Sequence, residues 1–248
     1  MSELAIIGGT GLTALKNLEI TKREEIHTPF GEPSGPLSHG VLSGKNVVFL
    51  ARHGYGHTIP PHKINYRANI WALHNTGVKR IIAVAAVGGI APDLQPGALA
   101  IPDQIIDYTA SRENTFFADG LSHVTHIDFT EPYCEELRQV LINACKHTKL
   151  HCVPNGTYAT TEGPRLETAA EVERMARDGC TMVGMTGMPE AALARELELC
   201  YATCAVVVNK AAGRGLGPIT MQEIEQTVSQ GMEKVRTLLE NVVPLLQR

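Results

Sequence analysis

Short apolar segments alternate along the chain with longer segments in which apolar residues recur every three or four positions. The short segments predict buried β-strands at residues 4–7, 47–50, 81–87, 98–106, 158–160, 181–185 and 201–208. The longer ones predict helices at residues 66–75, 131–146, 167–177 and 189–196, and a last helix near the C-terminus. Segment 201–208 is almost wholly apolar, which indicates a strand in the centre of a sheet.

The last helix has the clearest pattern. Thr220 and Glu223 have the spacing of a capping box, in which each side chain satisfies a free backbone N–H group at the start of a helix. Apolar residues follow at steps of three and four, at Ile224, Val228, Met232, Val235, Leu239 and Val242. The alternation of strands and helices, without repeat or linker, predicts a single α/β domain over residues 1–248, with a mixed central β-sheet flanked by helices.

Composition narrows the possible functions. The 248 residues carry a net charge of -4 and include no basic stripe of the kind that nucleic-acid binding needs. No apolar run reaches the roughly 20 residues of a membrane span, and residues 1–7 lack the pattern of a secretory signal. We therefore expect a cytoplasmic protein that binds neither nucleic acid nor membrane.

The six cysteines show no CxxC spacing and form no Cys/His cluster, so we expect no metal site. They stand in apolar segments, as Cys200 and Cys204 do beside the predicted central strand. Cysteines of this kind are usually small core residues. We expect all six to be free thiols in a reducing compartment.

Polar residues follow directly after several predicted strands, and ligands of open α/β sheets bind at such strand ends. Thr10 lies in the turn Gly8-Gly9-Thr10-Gly11, whose backbone N–H groups can approach an anion closely. Arg52 can offer a bidentate fork to phosphate, and His53 a second donor. Thr186 stands between a strand and a helix, where its hydroxyl and N–H could meet an oxyanion. Together these residues predict an anion pocket.

Three other function classes compete with this interpretation. A dinucleotide-binding fingerprint needs a third glycine, but this turn continues with Leu12-Thr13. It also needs an acidic residue after a second apolar strand, but Glu24 and Glu25 follow a charged stretch. A kinase phosphate loop is absent from the sequence. A noncatalytic nucleoside-binding module would share the pocket and stays open as an alternative.

Six motifs in one order resemble the trimeric nucleoside phosphorylase family, and its methylthioadenosine phosphorylase branch in particular. They lie at residues 7–12, 51–54, 64–73, 161–165, 185–190 and 199–202. Members of this family cleave a purine nucleoside with phosphate and release the base and a ribose 1-phosphate. The resemblance implies an enzyme without cofactor, because positioning and electrostatics supply the catalysis.

The resemblance also implies a role for individual residues. It places phosphate against Thr10, Arg52, His53 and Thr186, with backbone groups of Ala85 and Ala86, ribose against Met185, and Leu166 over the base. We assign catalysis to Asn209, Thr186 and His53. His126 matches a residue that a neighbouring subunit contributes, which implies a homotrimer.

The base-binding residues differ from those of the adenosine-type branch. That branch has Asp after the apolar strand, where this chain has Asn209-Lys210-Ala211. An amide can donate to O6 of a 6-oxopurine and accept from N7–H, whereas an ionised carboxylate only accepts. Glu167 could accept from N1–H, a proton that adenine lacks, or could merely begin an exposed helix. These residues favour hypoxanthine or guanine over adenine.

At the 5′ end of the ribose the sequence differs from the ordinary 6-oxopurine enzymes instead. Ordinary 6-oxopurine enzymes carry a His near the last helix, where this chain has the apolar Met221 and Ile224. A flexible thioether suits a methylthio group, although Ile224 could also be plain core packing. We therefore expect S-methyl-5′-thioinosine as the leading substrate, inosine or guanosine second, and methylthioadenosine third.

Overall fold

Strands from the whole length of the chain join in one mixed sheet. The structure is a computed structural model that describes residues 3–12, 15, 17–120 and 122–246. Its strands are β1 (Leu4–Gly8), β2 (Glu19–Glu24), β3 (Leu37–Leu42), β4 (Lys45–Ala51), β5 (Arg80–Gly89), β6 (Leu99–Ala100), β7 (Gln104–Asp107), β8 (Cys152–Val153), β9 (Thr157–Thr160), β10 (Met182–Gly184) and β11 (Cys200–Lys210). The helices are α1 (Tyr66–Asn75), α2 (Glu135–His147), α3 (Ala169–Arg177), α4 (Glu190–Glu196) and α5 (Met221–Leu246).

The sheet runs in the order β2-β3-β4-β1-β5-β10-β9-β7, and β11 pairs with both β5 and β6. Strands β4, β1, β5 and β11 are mutually parallel along this path, whereas β10 is antiparallel to β5. The carboxyl ends of the parallel strands therefore meet at one edge of the sheet. As predicted, β11 is central and nearly all buried.

Helices cover both faces of the sheet, because successive side chains of each central strand point to opposite sides. In β1, Leu4 and Ile6 pack in a core with α2 and α5, while Ala5 and Ile7 pack in another with α1 and α4. The predicted single α/β domain with a mixed, helix-covered sheet is confirmed. Its predicted extent over residues 1–248 includes chain ends that lie outside the described residues.

The sequence prediction missed β2, β3 and β8. Strand β2 is exposed almost throughout and carries charged residues, as an edge strand does, so it shows no apolar alternation. The charged stretch before Glu25 is therefore a strand, contrary to the prediction. It pairs antiparallel with β3 at the sheet edge, away from β1, so it does not restore the dinucleotide-binding alternative.

Helix starts also differ from the prediction. Helix α2 begins at Glu135 and α3 at Ala169, where Thr168 and Glu171 form a complete capping box. At the start of α5 the Thr220 hydroxyl accepts from the Glu223 N–H, but the Glu223 carboxylate binds that hydroxyl instead of the Thr220 backbone. Within the described residues, no helix is long and apolar enough to cross a membrane.

The cysteine prediction is wrong for two of the six residues. Cys134 and Cys200 form a disulfide, with their Cα atoms 5.1 Å apart. The backbone N–H of Cys134, at the start of α2, donates to the carbonyl of Tyr201 in β11 and so brings the two cysteines together. Cys145, Cys180 and Cys204 are free and buried, as expected, and Cys152 is free and half-buried.

Candidate active site

A cavity of about 290 Å³ lies at the carboxyl ends of the parallel strands. Residues after β1 and β4 and the last residues of β5 and β11 line it, together with the segment after β10. Its size is near the lower end of the range for small-molecule sites. The register of β11 against β5 shifts between Val207 and Asn209, so the strand is irregular where it reaches the cavity. Such bulges re-aim side chains next to binding sites.

All residues predicted to hold phosphate line this cavity: Thr10, Arg52, His53, Ala85, Ala86 and Thr186. Gly9 lies among them, and an added Cβ there would meet the Val84 carbonyl oxygen at 2.4 Å. Only glycine therefore allows the turn after β1 to lie this close to β5. The structure brings the predicted group together, and its phosphate-binding role stays a prediction.

Arg52 lines the cavity, but all three nitrogens of its guanidinium already donate hydrogen bonds within the protein. It is buried, and its Nε and Nη2 donate to the two carboxylate oxygens of Glu190 at 2.7 and 2.8 Å. Its Nη1 donates to the Val84 carbonyl at 2.8 Å. Burial acts to lower the pKa of Arg52, but the Glu190 carboxylate holds that pKa above its ordinary value. Glu190 therefore occupies the Nε and Nη2 edge of the guanidinium, and the predicted contact of Arg52 with phosphate stays a prediction.

Glu190 is the functional residue that the sequence interpretation missed. It is wholly buried at the start of α4, and it also accepts from the Tyr201 hydroxyl at 2.8 Å. Glu190 belongs to the motif at residues 185–190, and a carboxylate in such a mostly apolar segment was the signal that could have identified it. A buried carboxylate requires a cationic partner, which here is Arg52.

His53 carries a proton on Nδ1, which faces the protein backbone, and its predicted contact with phosphate stays a prediction. Its Nδ1 lies 2.8 Å from the carbonyl oxygen of Ile59, which can only accept, so Nδ1 carries the proton. Burial, and then the charge of Arg52, lowers the pKa of His53 to about 4. Nε2 is therefore unprotonated at neutral pH. His57, which the prediction missed, also lines the cavity, with its ring 4.6 Å from that of His53.

The predicted base and ribose residues also line the cavity: Leu166, Glu167, Met185, Asn209 and Ala211. Glu167 precedes α3 and its carboxylate accepts from the Thr161 hydroxyl at 2.6 Å, so the alternative of an exposed first helical residue is wrong. The amide nitrogen of Asn209 donates to the Lys210 carbonyl at 2.7 Å, which leaves its second N–H and its oxygen available.

The cavity also has apolar lining residues near the C-terminal helix. Met221 and Ile224 of α5 line the cavity, as predicted, together with Ile219 and Val208, which the sequence interpretation did not single out. Ile224 also packs against the core beneath α5, so both interpretations of this residue hold. Ile219 precedes the capping residue Thr220, a position where apolar residues often pack back on the helix.

Two predicted residues lie outside the cavity. Lys210 does not line this cavity and its ammonium donates to the Pro92 carbonyl at 3.3 Å, and its predicted contact with the base stays a prediction. His126 is exposed and does not line this cavity, and its contribution to a neighbouring subunit stays a prediction. In the part of the chain that the structure describes, no group of three or more His, Cys, Asp or Glu side chains could hold a metal ion.

Cavity and fold together define the class: an α/β protein whose parallel strand ends form one pocket lined by both polar and apolar residues. The chain belongs to the phosphorylase superfamily, whose family model matches residues 3–244. The predicted nucleoside phosphorylase membership and enzymatic character are confirmed.

Individual relatives agree with this assignment. A probable S-methyl-5′-thioinosine phosphorylase of Pseudomonas syringae is 54% identical over 98% of this chain and 99% of its own. A 6-oxopurine nucleoside phosphorylase of Pyrococcus furiosus is 48% identical over 100% of this chain and 94% of its own. The solved structure of methylthioadenosine phosphorylase from Schistosoma mansoni with adenine superposes with a TM-score of 0.95 at 33% identity, covering 99% and 92% of the two chains.

Proposed function

We propose that the protein cleaves S-methyl-5′-thioinosine with phosphate, giving hypoxanthine and 5-methylthioribose 1-phosphate. The observation that carries this proposal is the pairing of two features in one cavity. Asn209 and Glu167 supply amide and carboxylate groups suited to a 6-oxopurine, while the apolar Ile219, Met221 and Ile224 offer no polar partner for a 5′-hydroxyl.

The chemistry follows from the residues present. The C1′–N9 bond breaks with its electron pair going to the base, and positive charge develops on the sugar. The phosphate anion stabilises that charge and then forms the new bond at C1′. The leaving base gains a proton at N7 from solvent, which balances the proton that hydrogen phosphate loses when it becomes the sugar phosphate. The Asn209 amide oxygen then accepts a hydrogen bond from N7–H, and Glu167 accepts one from N1–H. Thr10 and Thr186 donate to phosphate, while the neutral His53 accepts a hydrogen bond from a protonated phosphate oxygen.

We further propose that this reaction needs no cofactor, because phosphate is itself the nucleophile. We also propose a homotrimer in which His126 reaches the active site of the neighbouring subunit. Sedimentation of an active monomer would refute the trimer, and an unaffected nucleoside KM in His126→Ala would refute the cross-subunit role.

A cytoplasmic location stays a proposal, and the Cys134–Cys200 disulfide removes the support that free thiols would have provided.

The deciding experiment is phosphate-dependent cleavage of methylthioinosine, inosine, guanosine and methylthioadenosine side by side. We expect the highest kcat/KM for methylthioinosine. A higher kcat/KM for inosine or guanosine would instead indicate an ordinary 6-oxopurine nucleoside phosphorylase. A higher kcat/KM for methylthioadenosine would indicate a methylthioadenosine phosphorylase. Cleavage of none of the four, with or without phosphate, would indicate a noncatalytic nucleoside-binding module.

A further inference from the structure

One buried arginine outside the cavity contacts two of the segments that form it. Arg112 lies between β7 and α2, and its side chain is 2% exposed. Its Nη1 donates to the carbonyl of Met185 at 2.8 Å and also to that of Met188. Its Nη2 donates to the carbonyls of Thr161 and Glu162 at 3.1 and 2.9 Å. Four backbone carbonyls from two separate segments therefore converge on one guanidinium.

Both segments carry residues of the proposed site. The segment after β10 contains Met185 and Thr186, at the ribose and phosphate positions. The segment after β9 leads from Thr161 to Leu166 and Glu167, at the base position. The two segments continue the paired strands β9 and β10, and the Thr161 N–H still donates to the Gly184 carbonyl at 2.8 Å. Beyond that bond the contacted residues belong to no helix or strand, so Arg112 adds a link where regular sheet pairing has ended. The guanidinium is a direct link between them.

The contacts of Arg112 are reinforced from the opposite side. The Glu162 carboxylate accepts from the Ala110 N–H at 3.1 Å and the Ser111 hydroxyl at 2.9 Å, and it lies 3.6 Å from the Nε of Arg112. The guanidinium also lies over the ring of Tyr66, 5.2 Å from its centroid. Residues 110–112 therefore donate several hydrogen bonds to residues 161–162, to the backbone carbonyls of both residues and to the Glu162 carboxylate.

We propose that Arg112 is a positioning residue that fixes the base-binding segment relative to the ribose- and phosphate-binding segment. The planar guanidinium presents donors in a fixed fork, so it can contact both segments at once. A lysine ammonium is a single point and cannot span the same four carbonyls. The inference rests on the proposed site, because its consequence is weaker binding there of base and phosphate together.

Arg138 offers a matched control. It is also buried, at 7% exposed, and it also donates to backbone carbonyls, those of Pro102 and Pro154 at 2.9 and 2.7 Å. None of these residues lines the cavity. Arg138→Lys therefore removes hydrogen bonds of the same kind from a buried arginine, but neither segment of the proposed site loses a contact.

The experiment compares Arg112→Lys, Arg138→Lys and wild type by three measurements: the midpoint of thermal unfolding, calorimetric binding of hypoxanthine and of phosphate, and steady-state kinetics. We expect Arg112→Lys to weaken both ligands and lower kcat/KM roughly 10- to 100-fold, because small misplacements of binding groups have effects of this size. Arg138→Lys should lower the unfolding midpoint and leave both affinities unchanged.

Wild-type affinities in Arg112→Lys would overturn the inference, as would an equal loss of affinity in Arg138→Lys. Should Arg112→Lys not fold, Glu162→Gln decides, because it weakens the same contacts from the other side and should shift both affinities in the same direction. Unchanged affinities in that variant would likewise overturn the inference. Wild type that binds neither ligand would instead refute the proposed function, and this inference with it.

Discussion

Arg52 and Glu190 are 138 residues apart in sequence and form a buried ion pair joined by two hydrogen bonds beside the cavity. The pair neutralises the one guanidinium that lines the cavity. Under the proposed function phosphate would bind beside this pair, so we expect Glu190 to govern how much of the positive charge of Arg52 acts on phosphate.

Glu190→Gln should lower the free energy of unfolding by about 3–5 kcal/mol, because it leaves the buried Arg52 charge without its counter-ion. Urea unfolding at neutral pH measures this. Glu171→Gln is the control, since Glu171 pairs with the exposed Arg165 and should cost no more than about 1 kcal/mol. Equal losses in both variants would contradict the importance assigned to the buried pair.

His53 should make stability depend on pH. Its pKa of about 4 in the folded state lies below the ordinary 6.5, so the unfolded chain binds the proton more tightly. The contribution is complete above about pH 6.5 and is lost as the pH falls toward 4, by about 3 kcal/mol in all. Unfolding free energies of wild type and His53→Asn, compared at about pH 7 and pH 4.5, isolate this difference.

The exposed His27 provides the reference for that measurement. Its pKa is raised by the hydrogen bond and charge of Glu32, so its linkage has the opposite sign. His27→Asn should therefore not reduce the loss of stability on acidification. If His53→Asn loses as much stability as wild type between the two pH values, His53 is not buried in its neutral form.

Asn209→Asp should shift preference from methylthioinosine toward methylthioadenosine. The change removes the donor to O6 and places a negative charge there, while it supplies an acceptor for a 6-amino group. We expect the ratio of kcat/KM for the two nucleosides to fall by at least about 100-fold. The gain with methylthioadenosine should be partial, because Glu167 still faces an N1 without a proton. Lys210→Ala, whose side chain lies outside the cavity, should leave the ratio unchanged.

Two outcomes would contradict the prediction for Asn209→Asp. A wild-type ratio that already favours methylthioadenosine would contradict the assignment of the base, as would a ratio that Asn209→Asp leaves unchanged. A double change at Asn209 and Glu167 should gain more methylthioadenosine cleavage than the single one, since both mismatches are then removed.

Met221→His should improve cleavage of inosine relative to methylthioinosine, because the imidazole gives the 5′-hydroxyl a polar partner. Met221 is 62% exposed in the single chain, so we expect a modest change of about 3- to 10-fold in the ratio of kcat/KM. Met221→Leu keeps an apolar side chain and should not change the ratio. Equal cleavage of both nucleosides by the wild type would show that the apolar lining residues do not select the 5′ group.

The disulfide should contribute to global stability. It joins cysteines 66 positions apart, and removing such a bridge typically costs about 2–5 kcal/mol. Urea unfolding with and without reductant measures the contribution. The Cys134→Ser/Cys200→Ser double variant should unfold at one urea concentration in both conditions. A wild type that is insensitive to reductant, with fully reduced cysteines, would contradict the prediction.

Periodicity alone predicted most of the elements around the site. Helix α1 was predicted with its observed bounds, and the central strands were predicted because both of their faces are apolar. Helix α5 followed from a cap and an apolar stripe. By contrast, the exposed strand β2 buries little and has no apolar pattern.

The sequence also determined which residues gather at the cavity, because the carboxyl ends of parallel strands meet at one edge of a sheet. The sequence alone was therefore enough to group four of the cavity residues: Thr10, His53, Thr186 and Asn209. What each side chain does there depends on its direction and on its partners. Neighbouring residues of a strand point to opposite faces, which separates Asn209 in the cavity from Lys210 outside it.

Only the tertiary structure decided the partners of the charged groups. The Nε and Nη2 edge of Arg52 binds Glu190, the Nδ1 proton of His53 faces the Ile59 carbonyl, and Arg112 joins two distant segments. Hydrogen bonds and ion pairs act over a few ångströms and require particular directions. Sequence spacing specifies neither for residues from different elements, so these contacts exist only once the chain has packed.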